Sequence, residues 1–382
     1  MALKIGQVES VFLSLVRSGI WERDFDAPQD FCQWRDVVNL AKVQSLLGIV
    51  GNEILKNNGK TTGLENDLRL KLRSFKVSNI LSVNKINDTT VEVFNRLKDN
   101  DFRPILLKGS GLSCNYPVPE LRQGGDIDVF VGEEAYVRSY DLFKQITDKI
   151  DNVNDIWVDK NYSMKVNDVE VEVHRHADEH PSQKLDKIFQ EFSKKYLLNN
   201  SVKLTLGDTE IDTPSDTFNA LYVFMHMFRH FMIRGVGLRQ VCDWMLFLSK
   251  RKDGIDQDVL KDILNQLHLM RPWQDFAAMT VNYLGASPEN IPFYKDGVSD
   301  RRQKKIIIRI LTEGNFGKHT AYYKDRSDNY LVAKVTSFFR HIGRYLQLAS
   351  LYPTLVFPYM STIMKFGFGR IGRDLKDKIN GR

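Results

Sequence analysis

The sequence predicts an α+β protein: a mixed sheet flanked by helices, with helical regions at both ends of the chain. Two observations carry this. Apolar residues recur at helical spacing over residues 1–100 and again from Pro214 onward. Between them, over 101–213, short apolar runs and period-2 alternation take over. The chain therefore divides into an N-terminal helical region (1–100), an α/β core (101–213), a helical domain (214–325) and a basic, apolar helical tail (326–382).

In the first region Val11, Phe12, Leu15 and Val16 share one helix face, as do Val38, Leu40, Ala41 and Val43 on a second helix. The Asn- and Gly-containing stretch 56–63 breaks the pattern, and a long helix is expected over 64–100. In the core, 104–107 and 126–131 read as short buried strands, and 133–150 as a helix. Strands are then expected at 164–166, 169–174, 202–206 and 209–212, the last two joined as a hairpin through Gly207-Asp208. Ser215 opens a helix carrying His226 and His230, and Gly235 to Gly237 separates it from a helix running through Asp243. The stretch from Glu313 to Gly317 reads as a helix-capping turn, with Phe316 stacking on a base as the alternative.

Composition narrows the function. Of 382 residues, 42% are hydrophobic and 27% charged, which suits two or three packed globular units. Cys32, Cys114 and Cys242 lie far apart without CxxC or Cys/His spacing. This predicts buried thiols rather than a disulfide framework or a structural zinc site. The first residues lack a basic segment followed by an apolar run, so a cytoplasmic location is expected. A net charge of +6 suits an anionic substrate such as a nucleotide. No dense Lys/Arg stripe marks a surface for long nucleic acid. The uncharged run 345–364 approaches the length of a membrane span but contains Pro353 and Pro358. Packing against the protein body is expected there, with peripheral membrane contact through the tail as the alternative.

The chemistry concentrates between Lys108 and His174. Lys108-Gly109-Ser110-Gly111 follows an apolar run, and a small-residue turn can present backbone N–H groups to phosphates. Arg122, Gly124 and Gly125 then lead into Asp126-Ile127-Asp128. Residues i and i+2 of a strand face the same way, so Asp126 and Asp128 project together. Paired carboxylates repel unless a cation lies between them, and oxygen ligation suits Mg²⁺. A third acid is expected on a neighbouring strand, where Glu170, Glu172 and His174 share a face; Glu172 is preferred over Glu170. His226 and His230, four apart, share a helix face, but Met227 follows His226, which excludes the His-Glu-x-x-His protease pattern. Their bland reading is packing or hydrogen bonding to Asp243, and Arg239 either pairs with Asp243 or reaches the cleft.

These residues resemble the DNA polymerase β-like nucleotidyltransferases, in Lys108-Gly109-Ser110, Asp126-Ile127-Asp128-Val129 and Val171-Glu172-Val173. More narrowly, the chain is similar, over about residues 30–280, to a family of bacterial uncharacterised nucleotidyltransferases. Leu107-Lys108-Gly109, Arg122 through Asp128, Glu172-Val173-His174, His226, His230 and Asp243 follow that family's order. Lys108 departs from the superfamily's usual apolar residue but fits the narrower family; Val173 replaces the narrower family's Leu.

The resemblance implies a polymerase β-like sheet and transfer of a nucleoside monophosphate from a nucleoside triphosphate, with release of pyrophosphate. It implies two Mg²⁺ ions, or Mn²⁺ in their place, about 3.5–4 Å apart. Asp126, Asp128 and Glu172 would be both the catalytic residues and the metal ligands. Lys108, Gly109, Ser110 and Arg122 would hold the nucleotide phosphates. His174, His226, His230 and Arg239 are candidate substrate contacts. The acceptor is not legible in the sequence; a small molecule or glycan precursor is favoured. The rival readings are a toxin-like enzyme modifying tRNA or protein, and a catalytically silent nucleotide- or glycan-binding module.

Overall fold

The structure, a computed structural model, describes residues 5–315 and 330–361, except positions 58, 148, 152, 154, 155, 157, 158, 198 and 199. Four helices come first: α1 (Gln7–Trp21), α2 (Trp34–Val43), α3 (Leu47–Lys56) and α4 (Asn66–Lys98). Helix α4 buries Leu68, Leu72, Val83, Ile86, Val93, Phe94 and Leu97, while Leu70 and Leu81 stay exposed on its other face. Its 33 residues extend it about 50 Å at the usual rise of an α-helix.

The sheet has five strands: β1 (Ile105–Leu106), β2 (Ile127–Phe130), β3 (Ile150–Asp151), β4 (Asn161–Val166) and β5 (Val169–His174), in the order β1-β2-β5-β4-β3. Strands β2 and β5 pair in parallel, and the other pairs are antiparallel. This is the mixed sheet with flanking helices that the sequence predicts. Two elements differ beyond the short helix α5 (Ser110–Ser113) that follows β1. Helix α7 (Gln183–Tyr196) is absent from the elements the sequence predicts for the α/β core. The helix expected to reach residue 150 is α6 (Glu133–Lys144); Ile150-Asp151 pairs instead with Met164 and Ser163 of β4. A two-residue edge strand is too short to show alternation. The predicted hairpin is present as β6 (Val202–Leu206) and β7 (Thr209–Thr213), which packs beside β1 and α4.

Beyond α7 (Gln183–Tyr196), the second helical region comprises α8 (Asp216–Ile233), α9 (Leu238–Arg251), α10 (Gln257–Gln266), α11 (Met270–Leu284) and α12 (Asp300–Glu313). Ser215 caps α8 by accepting from the Phe218 amide at 3.2 Å. Gly314, with φ of 64°, ends α12 as the capping reading requires; Phe316 lies outside the described residues.

Two apolar cores result. The larger joins α1–α3 to α8–α12, with Trp34, Trp244 and Trp273 fully buried. The smaller fills the space between the sheet, α4 and α6. The last long helix, Tyr330–Ala349, and residues 350–361 add Tyr345, Leu348, Leu351, Tyr352, Leu355, Val356 and Tyr359 to the larger core. Much of the uncharged C-terminal run is thus packed against the body; residues 362–364 lie outside the described residues. No helix among the described residues is long and apolar enough to cross a membrane. The thiols depart from expectation. Cys242 is buried, but Cys32, in a loop, and Cys114, at the end of a short helix, are exposed.

Candidate active site

The register of the parallel pair sets the site. Asp128 lies opposite Glu172, and Phe130 opposite His174. Alternation buries Val171 and Val173 on one face and leaves Glu172 and His174 on the other. The ligand atoms of Asp128, Glu172 and His174 all lie within 4.8 Å of one another. Nε2 of His174 lies 2.9 Å from Asp128 Oδ1 and 3.5 Å from Glu172 Oε2. Asn161, at the start of β4, donates from Nδ2 to Glu172 Oε2 at 3.1 Å. Glu170 is exposed and outside this cluster. Asp126 lies just ahead of β2 at the exposed lip of the site.

Upstream, the Leu107 amide donates to the Asp128 carbonyl at 3.0 Å, so Lys108 emerges beside the strand that bears the acids. Its Nζ lies 3.0 Å from Asp128 Oδ1. Gly109 follows with φ of 59°, and a Cβ there would meet the Asp126 carbonyl oxygen at 3.3 Å. Only glycine adopts this conformation without strain. The amides of Gly109 and Ser110 have no backbone partner among the described residues. The Ser110 hydroxyl donates to Asn87 Oδ1 at 2.6 Å, which ties the turn to α4.

Charge is tightly compensated. Burial pushes the Asp128 carboxyl up, but Lys108 and His174 outweigh it and hold it well below the usual carboxylate range. Burial works against the Lys108 ammonium, and the charge of Asp128 more than reverses that. Asp126 is raised, first by the neighbouring charge of Asp128 and then by desolvation.

Two cavities meet here. One, of 630 Å³, is bordered by Glu172, His174, Asn161, Arg229 and His230; the other, of 470 Å³, by Gly109, Gly124, Gly125, Glu170 and Arg239. Lys108, Asp126 and His226 border both.

Several predicted residues have partners other than those expected. Arg122 borders the smaller cavity, yet its Nε and Nη2 donate to Asp243 at 2.7 and 2.9 Å, where Tyr116 also donates at 2.7 Å. Arg122 and Asp243 are each 4% exposed, so the ion pair is enclosed within the fold. Asp243 is held by Arg122 and Tyr116, and His226 pairs elsewhere. His226 Nδ1 lies 3.4 Å from Asp178 Oδ2, and the two imidazoles are linked Nε2 to Nε2 at 3.1 Å. Burial and the nearby Lys108 push His226 down to about 4. Arg239 does both things expected of it: it borders the smaller cavity and lies 4.0 Å from Asp243 Oδ2, with Nη1 donating to the Gln123 carbonyl at 3.1 Å. Sequence reasoning missed Asp178, Arg229, Asn161 and Tyr116. Asp178, Asn161 and Tyr116 stand in no motif context; Arg229 sits three residues after His226 on the same helix face, the one local signal that could have found it.

A mixed sheet that sets carboxylates of adjacent parallel strands beside a Gly-Ser turn is the arrangement expected of a nucleotidyltransferase core. The chain belongs to a family described as uncharacterised nucleotidyltransferase, whose model matches residues 32–285. No curated protein and no solved structure gives a significant match.

Proposed function

We propose that this protein transfers a nucleoside monophosphate from a nucleoside triphosphate to a hydroxyl of a small molecule or glycan precursor, releasing pyrophosphate. The observation that carries the reading is the placement of the acids at the junction of two cavities. Gly109 borders only the smaller cavity and Glu172 only the larger, while Asp126 borders both. The phosphates then lie in the smaller cavity, against the amides of Gly109 and Ser110. The acceptor lies in the larger one.

The donor set fits a hard divalent cation. Asp128 and Glu172 supply carboxylate oxygens of the kind Mg²⁺ takes, with His174 at the same point, and Asp126 stands at the lip beside them. When bound, such a cation withdraws charge from the phosphoryl oxygens and lowers the pKa of an oxygen nucleophile. The chain's own residues do the rest. Lys108 and Arg239 offset charge on the phosphates. Glu172, oriented by Asn161, faces the acceptor and takes its hydroxyl proton. Arg122 acts through Asp243 to position Arg239 and the Gly124-Gly125 segment.

Incubation of the protein with each α-³²P-labelled triphosphate, Mg²⁺ and a cell extract tests this. Label should enter small molecules, and Asp126→Asn should abolish incorporation while the protein stays folded. Undiminished labelling by that variant removes the assignment. Label entering RNA or protein instead supports the toxin-like alternative.

A further inference from the structure

Resemblance alone implies two metal ions at this site, but the position ahead of the Gly-Ser turn carries an ammonium. Lys108 is not a surface residue that happens to reach a carboxylate. Its side chain is 18% exposed and that of Asp128 3%. Its stem starts at the hydrogen bond from the Leu107 amide to the Asp128 carbonyl, so the backbone delivers it to the acids. Gly109 then turns the chain sharply away. Among the described residues, Asp128 is the one ion-pair partner of Lys108.

Both close contacts of Asp128, from Lys108 and from His174, fall on Oδ1. That leaves Oδ2 and the Asp126 carboxylate for an incoming cation. The formal charges give the count. Before nucleotide arrives, and with His174 neutral, Asp126, Asp128 and Glu172 contribute three negative charges and Lys108 returns one, a net of two that matches a single divalent ion. A second ion would share the Asp128 carboxylate with an ammonium that is enclosed with it, and like charges at that spacing repel strongly in a partly desolvated site.

We propose that the site takes one divalent ion, and that Lys108 supplies the positive charge a second ion would otherwise bring. This rests on the nucleotidyltransferase reading above. It differs from that reading in making part of the cation set a fixed side chain, present whether or not nucleotide is bound.

Counting ions tests it without turnover. The full-length protein is titrated with Mn²⁺ in the presence of the α,β-methylene analogues of the four ribonucleoside triphosphates, and bound Mn²⁺ per bound nucleotide is read by equilibrium dialysis and electron paramagnetic resonance. The expected result is one Mn²⁺ per nucleotide with the spectrum of an isolated ion. Lys108→Met should raise this twofold, to two ions with a spin-coupled spectrum. Two coupled ions in the wild-type protein overturn the proposal, and so does a folded Lys108→Met variant that still binds one. Should the variant not fold, the wild-type count decides alone. Folded wild-type protein that binds no Mn²⁺-nucleotide at all overturns the nucleotidyltransferase reading itself, which separates that failure from a wrong ion count.

Discussion

Replacing Arg122 by Met should destabilise the protein by about 3–5 kcal/mol, the range for removing one partner of a buried ion pair. The structure supplies the reason. Asp243 accepts from Arg122 Nε at 2.7 Å and Nη2 at 2.9 Å, and from the Tyr116 hydroxyl at 2.7 Å. Without Arg122, its carboxylate keeps the Tyr116 hydrogen bond, and the nearest cation is Arg239 at 4.0 Å. Urea unfolding followed by circular dichroism measures the loss. Asp243→Leu alone strands the guanidinium and should cost a similar amount. The double variant buries no unpaired charge, so it should be more stable than the sum of the singles predicts, with a coupling of about 2–3 kcal/mol. The pH profile carries the same information. Burial pushes the Asp243 carboxyl up and Arg122 pulls it below its ordinary value. Its contribution is therefore complete above the unfolded carboxylate pKa of about 3.9 and is lost as pH falls below that toward the folded value. Single losses below about 1 kcal/mol with additive doubles would refute this reasoning. An Arg122→Met protein of native stability that no longer binds nucleotide would return Arg122 to the pyrophosphate.

Glu172→Gln should lower nucleotide incorporation by about 10²–10⁴-fold, the range for loss of a general base, and weaken Mg²⁺-nucleotide binding measured by calorimetry by a smaller factor, because Asp126 and Asp128 keep the cation; equal loss of both would assign Glu172 to cation binding alone. Gly109→Ala should cost about 1–2 kcal/mol of stability, the penalty of a left-handed conformation, and weaken nucleotide binding, because the added methyl presses on the Asp126 carbonyl; unchanged binding would mean the turn does not hold phosphate. His226 is held at about 4, below its unfolded value, so stability should fall as pH drops from about 6.5 toward 4, by on the order of 3 kcal/mol in total. His226→Phe should flatten that slope, and an unaltered slope in urea midpoints would assign the acid sensitivity elsewhere.

What the sequence made legible was local or periodic. Strand β5 was readable because Val169, Val171 and Val173 alternate with Glu170, Glu172 and His174, and the same alternation chose the face the acids occupy. Ser215 announced α8 through its own capping hydrogen bond. Pairings across the fold were not legible. Arg122 and Asp243 stand 121 residues apart, and nothing near either shows that one will neutralise the other. The same holds for Asp178, brought to His226 and Arg229 only when α8 docks beside the segment after β5. Strand β3 escaped because two residues at a sheet edge show no period.

The parallel pairing of β2 with β5 has a consequence for how function reports on folding. Asp128 faces Glu172 only in the register observed. Slipping β5 by one residue would set Val171 or Val173 opposite Asp128, and the site would lose its second acid to the core face. A slip of two would substitute Glu170 or His174. The sheet could retain many of its hydrogen bonds after either error, so spectroscopic measures of secondary structure would scarcely register the fault. Catalysis would. For this chain, turnover is a sharper gauge of correct strand alignment than any bulk measure of foldedness, and variants that refold with native circular dichroism but no activity point first to the β2–β5 seam.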